Sequence, residues 1–149
     1  MTKLSTQDNV MFALKAFAAG FIATLLFHQG LFNLFYSVGM VAVPAFNMTP
    51  SHPLGVPAVI SLAFWGGLWG WPVAYWIRHS QGAGYWLKAV LLGAIGPTAV
   101  AMLIVFPLKG LPVETKTVIG GLLLNGAWGL GVAIFMRWPS RRHQAKLGT

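Results

Sequence analysis

Cysteine is absent from this chain, and its acidic residues are limited to Asp8 and Glu114 among 149 residues. Without cysteine the chain forms no disulfide and offers no thiolate to a metal or a substrate. An active site needs a nucleophile or an acid–base pair, but the two carboxylates are unpaired and no glycine-rich phosphate loop follows a strand. The four histidines also lack the close spacing of a zinc site. These absences argue against an enzyme.

Charged residues of either sign are scarce, at 8% of the chain against 56% hydrophobic residues. About a quarter of the residues in a soluble domain are charged, so this composition suits contact with lipid. The apolar residues occur in runs of roughly 20, the length of a helix that crosses a bilayer. We predict a single all-α integral membrane domain over residues 1–149. Its four spans are expected at about 15–43, 56–77, 87–106 and 113–136, and Pro97 is expected to kink the third span.

The basic residues, which give a net charge of +8, indicate the orientation in the membrane. With a cytoplasmic N-terminus, eight of the ten lysines and arginines lie on the cytoplasmic side, which predicts that both termini are there. No surface pattern of aromatic and basic residues suggests nucleic-acid binding. The cytoplasmic set is Lys3, Lys15, Arg78, Lys88, Arg137, Arg141, Arg142 and Lys146, and the other side has Lys109 and Lys116.

One pattern, G-x-W-G-x-x-V-A-x-x-x-R, occurs at residues 67–78 and again at 126–137. A weaker match joins Lys15 and Gly20 of the first span to Lys88 and Gly93 of the third. We therefore predict two tandem helical hairpins, over about 14–78 and 87–137, which share one orientation in the membrane. Parallel repeats of this kind occur in transporters, and they also arise when a dimerising hairpin is duplicated.

Small residues dominate the repeated pattern, and small residues allow membrane helices to approach closely. The spacing predicts that the second and fourth helices pack against each other at the centre, with the tryptophans filling volume near mid-membrane. A ligand groove lined by the tryptophans is the alternative. Arg78 and Arg137 are expected to anchor the helices at the cytoplasmic interface. The predicted packing residues are Gly66, Gly67, Trp69, Gly70, Gly126, Trp128 and Gly129.

Several polar side chains fall within the predicted spans, where they should face the interior of the bundle. His28 and Gln29 are expected near the middle of the first span, with Asn125 near the middle of the fourth. We expect His28 to form an interhelical hydrogen bond, with Asn125 or Gln29 as its partner, worth about 0.6 kcal/mol on average. The alternative is a role as a proton acceptor, ligand contact or axial ligand. The candidate polar path comprises Thr24, His28, Gln29, Asn33, Thr98 and Asn125.

A cofactor is not predicted for a single chain, because no second histidine lies within a span. Two copies could share a haem through His28 of each, and an absorbance scan without a Soret band would exclude this.

Two functions are compatible with these features. The first is a non-catalytic accessory or self-associating subunit, which requires only packing surfaces. The second is a small transporter or channel for a solute or an ion, with its path along the first helix near His28. Carriers coupled to cations usually hold a carboxylate within the membrane, which this chain lacks. His28 and Gln29 also align with Ala101 and Met102 in the second hairpin, so any site within one chain is asymmetric.

The run Y-W-L-K-A-V-L-L-G at residues 85–93, followed by F-P-L at 106–108, resembles the third helix of small, uncharacterised four-helix bacterial membrane proteins. The resemblance implies a location in the bacterial inner membrane. It brings no activity with it.

Overall fold

The computed structural model describes residues 6–51 and 54–138, and this part of the chain is mostly helical. Helix α1 (Thr6–Ala23) runs through a π-helical turn (Thr24–His28) into α2 (Gln29–Ser37), so that one continuous helix covers Thr6–Ser37. A connection with a small antiparallel pair, β1 (Pro50–Ser51) and β2 (Val56–Pro57), leads to α3 (Ala58–Ile77).

The second half has a similar order of helices. Helix α4 (Gly82–Val100) continues through a second π-helical turn (Ala101–Val105) into α5 (Phe106–Leu108), and α6 (Thr115–Arg137) follows. Pro97 lies within α4 and the π-helical turn begins four residues after it. Proline removes a donor from the helical ladder, and a π-helical turn is one way in which a helix absorbs such a defect.

Three helices in the described residues are long and apolar enough to cross a membrane: Thr6–Ser37, Gly82–Leu108 and Thr115–Arg137. They are the features of a helical, membrane-embedded protein, as predicted. Helix α3 has 20 residues and no charge. It is not one of these three helices, because its tryptophan and glycine residues lower its mean hydropathy.

The first helix differs from the predicted span of 15–43. It already includes Thr6, because the polar segment around Asp8 continues the helix, and an acid suits the first turn. It ends at Ser37 because Gly39, with a φ of 76°, reverses the backbone there. The middle of the helix therefore lies near Phe21 and Ile22. His28 is about 10 Å further along, towards the proline-rich connection.

The helices pack mainly as two antiparallel pairs, α1 with α3 and α4 with α6. Contacts between α1 and α6 join the pairs, whereas α3 and α6 make few contacts with each other. The expectation that the second and fourth helices form the centre is therefore wrong. The glycines of α3 face the first helix. In α6, Gly126 and Gly129 face α4. Gly131 instead faces Ala23 and Phe27 of the first helix.

The glycine contacts bring backbone against backbone. A Cβ on Gly70 would overlap the carbonyl oxygen of Ala16, and a Cβ on Gly129 would overlap that of Ala89. In each pair the Cα of a glycine on the preceding helix, Gly20 or Gly93, lies 3.1 Å from the same Cβ position. No larger residue fits at these points.

The other predicted packing glycines have different neighbours. A Cβ on Gly66 would overlap the hydroxyl of Thr24, and one on Gly67 would lie 2.6 Å from the ring of Phe17. Gly126 is less constrained, since the nearest atom to its Cβ position is the Cβ of Ala94 at 3.6 Å.

We expect Gly70→Ala and Gly129→Ala each to lower the free energy of unfolding by about 1–3 kcal/mol, because the added methyl group meets backbone that cannot move aside. The measurement is thermal or denaturant unfolding in one detergent. Gly30→Ala and Gly120→Ala are matched controls, because a Cβ at these positions meets nothing within 4 Å. The controls should be neutral or stabilising, since alanine favours helix over glycine. Equal losses in all four variants would contradict the packing argument.

Candidate functional site

The proline-rich connection is fixed onto the start of α3 by backbone hydrogen bonds. The N–H groups of Ala58 and Val59 donate to the carbonyls of Thr49 (3.0 Å) and Asn47 (2.9 Å). The Asn47 side chain in turn accepts the N–H of Thr49 at 2.8 Å. The first N–H groups of a helix have no partner within the helix, so the connection acts as the cap of α3.

Gln29 holds the same connection from the opposite side. Its Oε1 accepts the backbone N–H of Phe46 at 2.7 Å, and the side chain is 6% exposed. Phe46 has a φ of 57° and is the one non-glycine with positive φ among residues 6–51 and 54–138. Such a backbone conformation costs free energy and persists where the surroundings enforce it. The hydrogen bond to the buried side chain of Gln29 provides that constraint.

A cavity of about 180 Å³ lies between this connection and the helices. Its walls include Phe32, Val43 and Leu62, which are apolar, and its polar groups come from Gln29 and Asn47. Two amides among apolar walls suit a small molecule of mixed polarity.

His28 precedes Gln29 on the first helix and is not one of the residues that line the cavity. Its Nδ1 is 3.4 Å from Nε2 of Gln29, which was one of the two partners expected for it. The other expected partner, Asn125, instead donates from Nδ2 to the hydroxyl of Thr98 at 2.9 Å. The haem hypothesis needs two copies of the chain and stays a prediction.

The candidate polar path is thus divided into separate groups. Thr24 is buried and donates to the carbonyl of Gly20 at 2.9 Å, whereas Asn33 is exposed on the outside of α2. Gln29 binds the connection, and Thr98 with Asn125 forms a pair between α4 and α6. The structure brings His28 and Gln29 together, and it does not join the six residues into one lining.

The two motif tryptophans each reach the opposite hairpin. Nε1 of Trp128 donates to the carbonyl of Gly20 at 2.9 Å, and this indole is 2% exposed. The ring of Trp69 lies over Gly96 of α4, with its Cζ3 3.0 Å from the position of a Cβ on that glycine. They fill the junction between the hairpins.

The ends of the helices opposite the proline-rich connection carry the basic residues. Nζ of Lys15 donates to the carbonyls of Met136 (2.8 Å) and Trp138 (2.9 Å), at the end of α6. A cation is favourable at a helix C-terminus, where carbonyls lack partners. The sequence had placed Lys15 at this end without indicating its partners.

The two motif arginines have different surroundings. The guanidinium of Arg137 lies 4.2 Å from the ring centre of Tyr85 and 5.2 Å from that of Trp86, so that it links α6 to α4. Arg78 lies over Tyr75 of its own helix at 3.9 Å. Lys3, Arg141, Arg142 and Lys146, also predicted for this end, lie outside the described residues.

No protein-family model, curated protein or solved structure matches this chain. The resemblance to small bacterial four-helix proteins therefore stays a prediction based on residues 85–93 and 106–108.

We expect Gln29→Ala to release the connection, because the N–H of Phe46 then loses its acceptor. An unmade buried hydrogen bond costs about 1–3 kcal/mol, so hydrogen exchange at the Phe46 amide should be faster. Asn33→Ala, on the exposed side of the same helix, should leave this exchange unchanged. Unaltered exchange in Gln29→Ala would show that the hydrogen bond does not hold the connection.

Proposed function

We propose that this chain is a four-span bacterial inner-membrane protein built from two tandem hairpins. Both termini are cytoplasmic. The protein acts without catalysis, as a subunit that associates with copies of itself or with a larger membrane complex.

Helix α3 is the second span in chain order, in addition to the three long apolar helices. Its 20 uncharged residues extend about 30 Å, the thickness of the hydrocarbon core. It also packs along α1, which is long and apolar enough to span, with Gly66 and Gly70 against the middle of that helix. This pairing with a helix that is able to span the membrane supports α3 as a span, although its tryptophans lower its mean hydropathy.

The tandem arrangement is supported by equivalent contacts in the two hairpins. Ala16 and Gly20 meet Gly70 as Ala89 and Gly93 meet Gly129. These residues occupy matching positions in the aligned halves of the sequence. The contacts between hairpins are also reciprocal, since Trp128 reaches α1 and Trp69 reaches α4.

The topology can be tested with single cysteines, because the chain has none of its own. We expect Leu54→Cys and Lys109→Cys to react with a membrane-impermeant maleimide applied outside intact cells or spheroplasts. Gln81→Cys, between α3 and α4, should react only after the membrane is permeabilised. If residues 54 and 81 react equally from outside, α3 does not cross the membrane.

The observation that carries the functional proposal is the closed packing at the middle of the bundle. There the backbones of α1 and α3, and of α4 and α6, touch at glycines, and Trp128 fills the space between the pairs. Polar groups at this level, Thr24, Thr98 and Asn125, have their hydrogen-bond partners within the chain. An interior packed in this way supports a non-catalytic subunit better than a solute or ion pathway through one chain.

We expect the tagged full-length protein, purified from native membranes in mild detergent, to migrate as a defined oligomer or with a stoichiometric partner. Native mass and mass spectrometry of the co-purified proteins provide the measurement. A sample treated with harsher detergent is the control for aggregation. A monomer without a partner would contradict the proposal.

The alternative function is a small solute or ion pathway, favoured by the cavity that Gln29 lines and by the approach of the Gln29 side chain to His28. Saturable uptake into proteoliposomes that is lost in His28→Ala, but retained in Asn33→Ala, would support this alternative in place of the subunit.

A further inference from the structure

We propose that the outward-facing groove between α1 and α3 binds one anionic glycerophospholipid, with an acyl chain in the groove and the phosphate at Arg78. The inference rests on the proposed four-span topology, which places both helices in the bilayer. It concerns a site on the lipid-facing surface, separate from the cavity under the proline-rich connection.

The groove has a volume of about 390 Å³ and apolar walls. It exists because Gly67 has no side chain, so that the ring of Phe17 lies directly against the backbone of α3. Water gains no hydrogen bonds from apolar walls, whereas the molecules around this groove in a bilayer are acyl chains. We therefore expect an acyl chain to fill the groove. Its main lining residues are Val10, Leu14, Phe17, Gly67, Leu68 and Trp71.

The length of the site matches one leaflet of the bilayer. Gly67 and Arg78 are separated by eleven residues of α3 and its C-cap, or about 16 Å along the helix axis. Half of a hydrocarbon core about 30 Å thick is close to this value. An acyl chain that reaches down to Gly67 therefore leaves its headgroup at the level of Arg78.

A row of side chains connects the groove to this arginine. Trp71, Tyr75 and Arg78 are spaced i, i+4 and i+7, and so lie on one face of the helix. The rings of Trp71 and Tyr75 are 5.8 Å apart, and the guanidinium lies 3.9 Å from the centre of the Tyr75 ring. Stacking uses the face of the guanidinium and leaves its in-plane N–H groups available to a phosphate.

Charge favours an anionic lipid over a second copy of this chain as the occupant. The chain has a net charge of +8 and only two acidic residues. Asp8 lies in the first turn of α1, and Glu114 lies at the opposite end of the bundle, paired with Lys116 at 2.9 Å. A second copy therefore offers few anionic groups to Arg78, whereas the inner leaflet offers many.

Arg137 provides a matched comparison within the same protein. It occupies the equivalent position of the repeated motif, but it bridges α6 to Tyr85 and Trp86 of α4. Replacing either arginine by glutamine removes the same charge from the same side of the membrane. Only Arg78 lies on the helix that forms a wall of the groove.

The test uses full-length protein reconstituted in vesicles of phosphatidylcholine with phosphatidylglycerol as a minor component. The protein is then extracted in mild detergent, and the retained lipids are counted by mass spectrometry. We expect one phosphatidylglycerol per chain in the wild type. Arg78→Gln should reduce its retention relative to phosphatidylcholine by about tenfold or more, because a charge-assisted hydrogen bond is lost. Arg137→Gln should retain it.

Ala13→Phe is the second variant, because Ala13 also lines the groove and a ring there would fill it. It should lose the retained lipid while Arg78 stays in place, and thermal unfolding of each variant reports whether the fold is kept. Equal retention in the wild type and Arg78→Gln would overturn the proposal. So would equal losses in Arg78→Gln and Arg137→Gln, or cross-linking of Trp71→Cys between two copies.

These results are distinguishable from a failure of the proposed function. If cysteine labelling shows that α3 does not cross the membrane, the topology fails and the site fails with it. If the labelling agrees with four spans and no phosphatidylglycerol is retained, only the lipid site is wrong.

Discussion

Close approach of backbones at glycine is the constraint on which the rest of this structure depends. In lipid there is no hydrophobic drive to bring helices together, so they associate through dispersion contacts that require short distances. Gly70 against Ala16, and Gly129 against Ala89, provide those distances in the two hairpins. Once these points are set, the larger side chains of each helix have defined neighbours, including Phe17 on Gly67.

The carbonyl of Gly20 shows how the hairpins are joined. It accepts the hydroxyl of Thr24 and the indole N–H of Trp128, each at 2.9 Å. The corresponding residue of the second hairpin, Gly93, lies four positions before Pro97, which has no N–H to donate to it. The two halves thus share their glycine contacts but differ in the polar groups around them, so similar helix contacts do not imply two equal sites.

The sequence allowed the helices and the close-packing glycines to be predicted, because both depend on local composition and spacing. It did not indicate which helix each glycine contacts. Gly66 and Gly70 suit a partner on either side, and α1 and α6 present comparable small residues. The first helix begins at Thr6 rather than near Lys15 because the polar segment around Asp8 continues it, and the depth of His28 in the bilayer stays a prediction. The hydrogen bond of Gln29 to Phe46 joins residues 17 positions apart across an irregular connection, and periodicity carries no information about such a contact.

The position of Lys15 has a consequence for biosynthesis. Its two acceptors, the carbonyls of Met136 and Trp138, belong to the end of α6 and the residue after it. During translation Lys15 is made long before either acceptor has been synthesised. A chain that stops short of α6 leaves this cation without those partners, next to the apolar residues 16–23 of the same helix. The completed protein thus differs from its truncated forms in one chemical respect, because only a chain that includes α6 supplies acceptors for this ammonium group.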